Sequence, residues 1–134
     1  MVNRILLADD ELALRFLLTE TLSDEGYEIT EAADGNEAVQ CLLANTYDLL
    51  ILDYMMPEKT GVEVCEFLRQ TENDNQHIPV ILLTAKTQEK DRELAKVAGA
   101  STYIVKPFSP MHLLDTVEKL LTASYPCKAG ESID

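Results

Sequence analysis

The chain has 134 residues, and its composition already excludes several classes of protein. Apolar residues make up 46% and charged residues 26%, which is typical of one domain that buries a core. The 24 Asp and Glu residues outnumber the 11 Lys and Arg residues, and the formal charge of −13 disfavours binding to nucleic acid or to a membrane surface. No apolar run approaches the roughly 20 residues of a membrane-spanning helix, and acidic residues interrupt the first apolar stretch, which disfavours a signal peptide.

The cysteines indicate a reducing compartment. Cys41, Cys65 and Cys127 are odd in number and widely spaced along the chain. Such a set forms neither a disulfide framework nor a zinc site, so we expect free thiols and a cytoplasmic location.

Five short apolar runs predict β-strands. Their starts lie about 20 to 30 residues apart, which suits a strand followed by a helix and excludes tight hairpins. The third and fourth runs are continuously aliphatic, as expected for central parallel strands that are covered on both faces. The predicted strands are residues 5–8, 27–32, 49–52, 80–83 and 102–105.

The segments that follow these runs have helical periodicity. Gly26 and Gly99 stand where helices are expected to end, and Pro110 where the last helix is expected to begin. Five alternating strand–helix units predict one α/β domain with right-handed crossovers. The predicted apolar stripes are Leu14, Leu17, Leu18 and Leu22; Val39, Leu42 and Leu43; Val64, Phe67 and Leu68; Leu94, Val97 and Ala98; and Leu113, Val117, Leu120 and Leu121.

The periodicity ends at about Thr122. Residues 1–122 are therefore predicted to form the domain, and residues 123–134, which include Pro126 and Gly130, to form a tail or the start of a linker. On the first helix, Phe16 falls off the apolar stripe and is a candidate contact for a partner protein.

Polar side chains follow four of the predicted strands at the point where each strand ends. Asp9 and Asp10 follow the first strand, Asp53 the third, Thr84 the fourth and Lys106 the fifth. Ligands of open α/β sheets bind at this carboxyl edge, so we expect these residues to converge on one site.

The chemistry of this set predicts a phosphoryl-transfer site. Three carboxylates that lie close together repel one another, and Mg²⁺ would relieve that repulsion. Lys106 and Thr84 supply an ammonium and a hydroxyl that can bind phosphoryl oxygens. The carboxylate of Asp53 could then act as the nucleophile and form an acyl phosphate.

A set of short motifs carries a resemblance to a known family. They are LADDE at 7–11, ADG at 33–35, DLLILDYMMP at 48–57 with Gly61, LTA at 83–85, AGA at 98–100 and YIVKPF at 103–108. In this order and at this spacing, the chain resembles the receiver domain of bacterial two-component response regulators over about residues 3 to 122. The resemblance implies a flavodoxin-like fold, a doubly wound parallel sheet of five strands in the order 2-1-3-4-5 with five helices.

The resemblance also implies the chemistry of the site. Asp53 would accept a phosphoryl group from a histidine kinase or a histidine phosphotransfer protein. Asp10, Asp53 and the backbone carbonyl of Met55 would hold Mg²⁺, and Asp9 would act through water. A domain of this kind catalyses its own phosphorylation and dephosphorylation and is not a conventional enzyme.

The resemblance further implies a conformational switch. Thr84 and Lys106 would bind the phosphoryl oxygens, and the bond between Lys106 and Pro107 would be cis. Tyr103 corresponds to the switch aromatic, which turns inward when Thr84 moves toward the phosphoryl group. The face formed by the fourth helix, the fifth strand and the fifth helix would then be read by a downstream effector domain or protein.

Several alternatives remain beside this interpretation. A Mg²⁺-dependent phosphatase with an aspartyl-phosphate intermediate would place its nucleophile at the first strand, and a flavodoxin-like binder would need a phosphate loop where Asp9 and Asp10 stand. Within the receiver interpretation, the domain could act alone or be part of a larger regulator. Leu94, Ser101 and Thr102 lack the charges that bridge dimers of winged-helix regulators, which disfavours that dimer and that DNA-binding subfamily.

Overall fold

The fold is known from a computed structural model, which describes the backbone of residues 2–85 and 89–130 and the side chains of residues 2–85 and 90–122. Strands and helices alternate along the chain, and the five strands form one parallel sheet in the order β2-β1-β3-β4-β5. The elements are β1 (Arg4–Ala8), α1 (Leu12–Asp24), β2 (Glu28–Ala32), α2 (Gly35–Ala44), β3 (Leu49–Asp53), α3 (Gly61–Gln70), β4 (Val80–Thr84), α4 (Glu89–Ala98), β5 (Thr102–Val105) and α5 (Pro110–Gly130). The predicted fold class and strand order are confirmed.

The sheet is covered on both faces. Helices α1 and α5 pack on one face, where their buried leucines and valines meet Ile5, Leu7, Ile51 and Ile81. Helices α2, α3 and α4 pack on the other face against the alternate side chains of the same strands. Strands β3 and β4 are buried over their whole length, which explains why their sequences show no polar alternation.

Helix α4 differs from its predicted packing. Ala95 and Ala98 face the core, whereas Leu94 is 50% exposed and Val97 is 79% exposed. The expectation was wrong for Leu94 and Val97 of the predicted stripe and is confirmed for its third member, Ala98. Small side chains occupy the inner face of α4, and the larger aliphatic side chains point into solvent. The same error concerns Leu43 of α2, which is exposed beside the buried Leu42, and Leu17 of α1, which is exposed beside the buried Leu18.

The ends of the helices largely follow the predicted signals. Gly26 and Gly99 adopt φ values of 95° and 102° after α1 and α4, a conformation that favours glycine at helix ends. Helix α5 begins at Pro110, as predicted, and its helical backbone continues past Thr122 to Gly130. The boundary between domain and tail at residue 122 therefore stays a prediction. Over the described ranges, no helix combines the length and the apolarity needed to cross a bilayer.

Candidate functional site

Three carboxylates converge at the carboxyl edge of the sheet. Strands β1 and β3 are neighbours, so the residues that follow β1 lie beside the last residue of β3. Asp9, Asp10 and Asp53 each place one carboxylate oxygen within 4.8 Å of the others. Asp9 and Asp53 are buried and Asp10 is exposed, so the cluster opens to solvent on one side.

Asp9 is held in place and yet has one oxygen without a hydrogen bond. Its Oδ1 accepts a hydrogen bond from the backbone N–H of Glu11 at 2.9 Å, and its own N–H donates to the carbonyl of Ala32 at 3.1 Å. The Oδ2 atom is buried and accepts no hydrogen bond, and the Lys106 ammonium lies 3.7 Å from it. A buried carboxylate oxygen without a hydrogen bond destabilises the folded protein unless a cation or a water molecule contacts it.

Lys106 supplies a positive charge to the cluster. It follows β5, its N–H donates to the carbonyl of Thr84 at 2.8 Å, and the bond to Pro107 is cis, as the resemblance implied. Its Nζ atom lies 3.1 Å from Asp53 Oδ1. One ammonium cannot neutralise three carboxylates, so the cluster retains an excess of negative charge. Hard carboxylate oxygens with one solvent-facing side fit a Mg²⁺ ion, which keeps several of its waters.

Burial makes Asp53 an unusual carboxyl group. The pKa of Asp53 is raised from 3.8 to about 6, chiefly by desolvation on burial and next by the charge of Asp9, while Lys106 acts to lower it. The net shift is upward because the loss of hydration destabilises the ionised form more than the charge of Lys106 stabilises it. A second cation at the cluster would favour the ionised form, which is the form required of a nucleophile.

Thr84 of β4 and Tyr103 of β5 line the same small cavity beside α4. Thr84 is the buried last residue of β4, and Tyr103 is a half-buried residue of β5. Together with Tyr54, Leu82, Asp91, Arg92 and Ala95, they line a cavity of about 10 Å³, close to the smallest space that holds one water. The Arg92 guanidinium lies 5.5 Å from the centre of the Tyr103 ring.

The loop after β3 is shaped by close backbone contacts. Gly61 N–H donates to the Tyr54 carbonyl at 2.9 Å, and a Cβ atom on Gly61 would lie 2.5 Å from the Asp53 carbonyl. Glu58 has a φ of 73°, and Lys59 N–H donates across it to the Pro57 carbonyl at 2.8 Å, which forms a strained γ-turn. The loop also carries Met55, whose side chain is exposed.

Sequence reasoning missed two residues of this region. Arg15 of α1 donates to the backbone carbonyl of Asp9, and Glu58 adopts the positive φ described above. The sequence Pro57-Glu58-Lys59 contains no residue type that favours a positive φ. The hydrogen bond from Arg15 could not be predicted either, because it joins a side chain to a backbone carbonyl six residues away. The convergence of the acids with Lys106 and Thr84, by contrast, was expected from their positions at strand ends.

The structure is a parallel α/β sheet that carries an acidic cluster and a lysine at its carboxyl edge. The family model "Response regulator receiver domain" matches residues 5–118. This chain belongs to the receiver-domain family of two-component response regulators.

Among curated relatives, the transcriptional regulatory protein ResD of Bacillus subtilis (strain 168) is 44% identical over 119 residues, which are 89% of this chain and 48% of ResD. The transcriptional regulatory protein SrrA of Staphylococcus aureus (strain NCTC 8325 / PS 47) is 42% identical over 121 residues, with 90% and 48% covered. The chain thus spans about half the length of these relatives. Both relatives are named as transcriptional regulatory proteins, and the expectation that Leu94, Ser101 and Thr102 set this chain apart from the winged-helix DNA-binding subfamily stays a prediction.

Solved structures show the same fold. The Vibrio cholerae chemotaxis protein CheY4 superposes with a TM-score of 0.84 at 33% identity, covering 90% of this chain and 99% of that one. The receiver domain of the sensor histidine kinase PA1611 from Pseudomonas aeruginosa PAO1 superposes with a TM-score of 0.82 at 30% identity, covering 91% and 99%. That structure has a magnesium ion coordinated in its active-site cleft.

Proposed function

We propose that this domain accepts a phosphoryl group on Asp53 from a histidine kinase or a histidine phosphotransfer protein. The observation that carries the proposal is the pair formed by Asp53 Oδ1 and Lys106 Nζ, 3.1 Å apart at the edge of the sheet. A carboxylate beside a fixed ammonium is a nucleophile placed next to a group that can neutralise the oxygens of an incoming phosphoryl group.

The transfer exchanges one bond to phosphorus for another. An oxygen of Asp53 attacks the phosphorus atom, the bond from phosphorus to the donor's imidazole nitrogen breaks, and the electron pair leaves with that nitrogen. The product is an acyl phosphate on Asp53. The Lys106 ammonium and the Thr84 hydroxyl would donate to the phosphoryl oxygens. Asp9, the acid that a phosphatase would use after β1, is fully buried and already hydrogen-bonded to Glu11, which favours Asp53 as the nucleophile.

We further propose that Asp10, Asp53 and the carbonyl of Met55 hold Mg²⁺, with Asp9 acting through water. When bound, the ion would supply the positive charge that lets a phosphoryl group approach three carboxylates. The unpaired Oδ2 of Asp9 and the excess negative charge of the cluster support this assignment.

Thr84 and Tyr103 are proposed to form the switch. They line the same small cavity, so movement of Thr84 toward a phosphoryl group would open space for the Tyr103 ring. The surface formed by α4, β5 and α5 would change when Tyr103 moves. The exposed side chains of Leu94 and Val97 lie on this surface, where a binding partner could contact them. The reader would be a downstream effector domain or protein, with the receiver acting alone or within a larger cytoplasmic regulator and without binding nucleic acid or membrane itself.

The proposal is tested by incubating the protein with acetyl phosphate and Mg²⁺ and measuring its intact mass. Wild type should gain one phosphoryl group (roughly 80 Da), which hydroxylamine removes as it does from an acyl phosphate. The variant Asp53→Asn should gain nothing. Omission of Mg²⁺, or addition of EDTA, should abolish the gain in wild type.

Asp48→Asn is the matched control, because Asp48 precedes the same strand and accepts a hydrogen bond from Arg4 N–H away from the cluster. It should be labelled like wild type. Labelling of Asp53→Asn would move the nucleophile to another carboxylate and contradict the proposal, as would labelling that is indifferent to Mg²⁺.

A further inference from the structure

We propose that Arg15 is a positioning residue of the acidic site, which fixes the peptide joining Asp9 to Asp10 and thereby the direction of the Asp10 carboxylate. The inference rests on the proposed function, because it concerns the affinity of that site for Mg²⁺. It assigns a role to a residue outside the cluster itself.

Arg15 is unusually well buried for an arginine on the first helix. Its side chain is 13% exposed, and its Nη1 atom donates to the backbone carbonyl of Asp9 at 2.6 Å. Its Nε atom donates to Glu31 Oε1 of β2 at 2.8 Å. A planar guanidinium held at two points has a defined orientation, which a flexible ammonium would lack.

The peptide held by Arg15 is the one whose geometry matters for the site. The side chain and the N–H of Asp9 have their own partners, Glu11 and Ala32. Among the described residues, the exposed side chain of Asp10 has no hydrogen bond or ion pair to hold it. The carboxylate of Asp10 is therefore directed by the backbone that carries it. Arg15 holds the carbonyl immediately before that residue.

A purely electrostatic role for Arg15 predicts the opposite result. Loss of a positive charge beside three carboxylates would make the cluster more negative and would tighten Mg²⁺ binding. Loss of a positioning bond would let the peptide rotate and would weaken Mg²⁺ binding, as removal of supporting hydrogen bonds around a metal site generally does. The sign of the change in affinity separates the two roles.

The experiment is a calorimetric titration of the full chain with MgCl₂ for wild type, Arg15→Met, Arg15→Lys and a control. Arg15→Met should raise the Mg²⁺ dissociation constant by about 10-fold. Arg15→Lys should recover part of that loss, because an ammonium can still donate to one of the two acceptors. The Mg²⁺ concentration that gives half-maximal labelling by acetyl phosphate should rise in parallel, with little change in the rate at saturating Mg²⁺.

Arg69→Met is the matched control. The Arg69 guanidinium also donates to backbone carbonyls, those of Gln76, Ile78 and Gly99, but these lie before β4 and β5 at the opposite edge of the sheet. Its loss should reduce stability and leave the affinity for Mg²⁺ unchanged. If Arg15→Met does not fold, Arg15→Lys tests the inference. A Mg²⁺ dissociation constant that is raised several-fold in Arg15→Lys supports the inference, and an unchanged one contradicts it.

Unchanged or tighter Mg²⁺ binding in both Arg15 variants would overturn the inference. If wild-type Asp53 is labelled in the same experiment, the proposed function stands even so. Wild type that binds Mg²⁺ but is not labelled would contradict the proposed function alone, and the affinities would still decide the role of Arg15. Wild type that binds no Mg²⁺ would overturn both.

Discussion

The variant Asp53→Asn is expected to stabilise the metal-free protein at neutral pH, although it removes the proposed nucleophile. The pKa of Asp53 is raised from 3.8 to about 6, chiefly because the carboxyl group is buried and secondarily because of Asp9. The folded state therefore holds the proton more tightly than the unfolded state does. The contribution of Asp53 to stability is complete below pH 3.8 and is lost as pH rises through about 6.

The size of the effect follows from the shift. A rise of about two pKa units corresponds to about 3 kcal/mol lost between the two ends of this pH window, at 1.36 kcal/mol per unit. An asparagine resembles the protonated carboxyl group in shape and charge. Asp53→Asn should therefore unfold like wild type near pH 4 and be more stable by about 2 to 3 kcal/mol above pH 7.

The assay is urea denaturation in EDTA at several pH values between 4 and 8. Addition of Mg²⁺ at pH 7.5 should narrow the gap, because wild type binds the ion and is stabilised by it, whereas the variant has lost one proposed ligand. Equal or lower stability of Asp53→Asn at pH 7.5 without metal would refute the reasoning. So would a difference between the two proteins that did not change with pH.

Three further predictions concern other parts of the fold. Glu58→Gly should stabilise the protein by about 0.5 to 1 kcal/mol in urea denaturation, because glycine adopts a φ of 73° without strain. The greater conformational entropy of glycine in the unfolded chain offsets only part of this gain. Glu58→Ala should give no such gain in the same assay, because alanine is strained at this φ as well. Asn75→Ala should cost about 3 kcal/mol in the same assay, since its buried amide serves three backbone groups of residues 42–47, yet leave acetyl phosphate labelling intact. Cys65 is buried and its pKa is raised to about 11, so iodoacetamide at pH 8 should modify it only after the protein is unfolded. Peptide mapping of the folded and unfolded protein measures this modification.

The strands and the residues that end them could be predicted because their signals are local. A continuous run such as Leu49 to Leu52 can be satisfied only by burial on both faces, and the polar residue that follows it marks the end of the strand. The same logic applies to Thr84 and Lys106. Once the strands are parallel, all these side chains reach the same edge of the sheet.

The face that a helix buries proved harder to predict. In α4, the predicted stripe of Leu94, Val97 and Ala98 has helical spacing, and hydrophobicity alone favours Leu94 and Val97 over Ala95 as buried residues. The observed choice depends on the shape of the neighbouring surface, on which Ala95 and Ala98 pack against the core. Asn75 carried no such pattern at all, because its partners lie about 30 residues away in the chain.

The sequence by itself determined the order of strands and helices and the residues that reach the carboxyl edge, since both depend on runs of neighbouring residues. Only the tertiary structure decided that Asp9 and Asp53 are buried while Asp10 is exposed, that the pKa of Asp53 rises to about 6, and that Arg15 holds the carbonyl of Asp9. These properties depend on distances of a few ångströms between groups that the chain brings together only on folding. Desolvation and hydrogen bonding are set by those distances and not by position in the sequence.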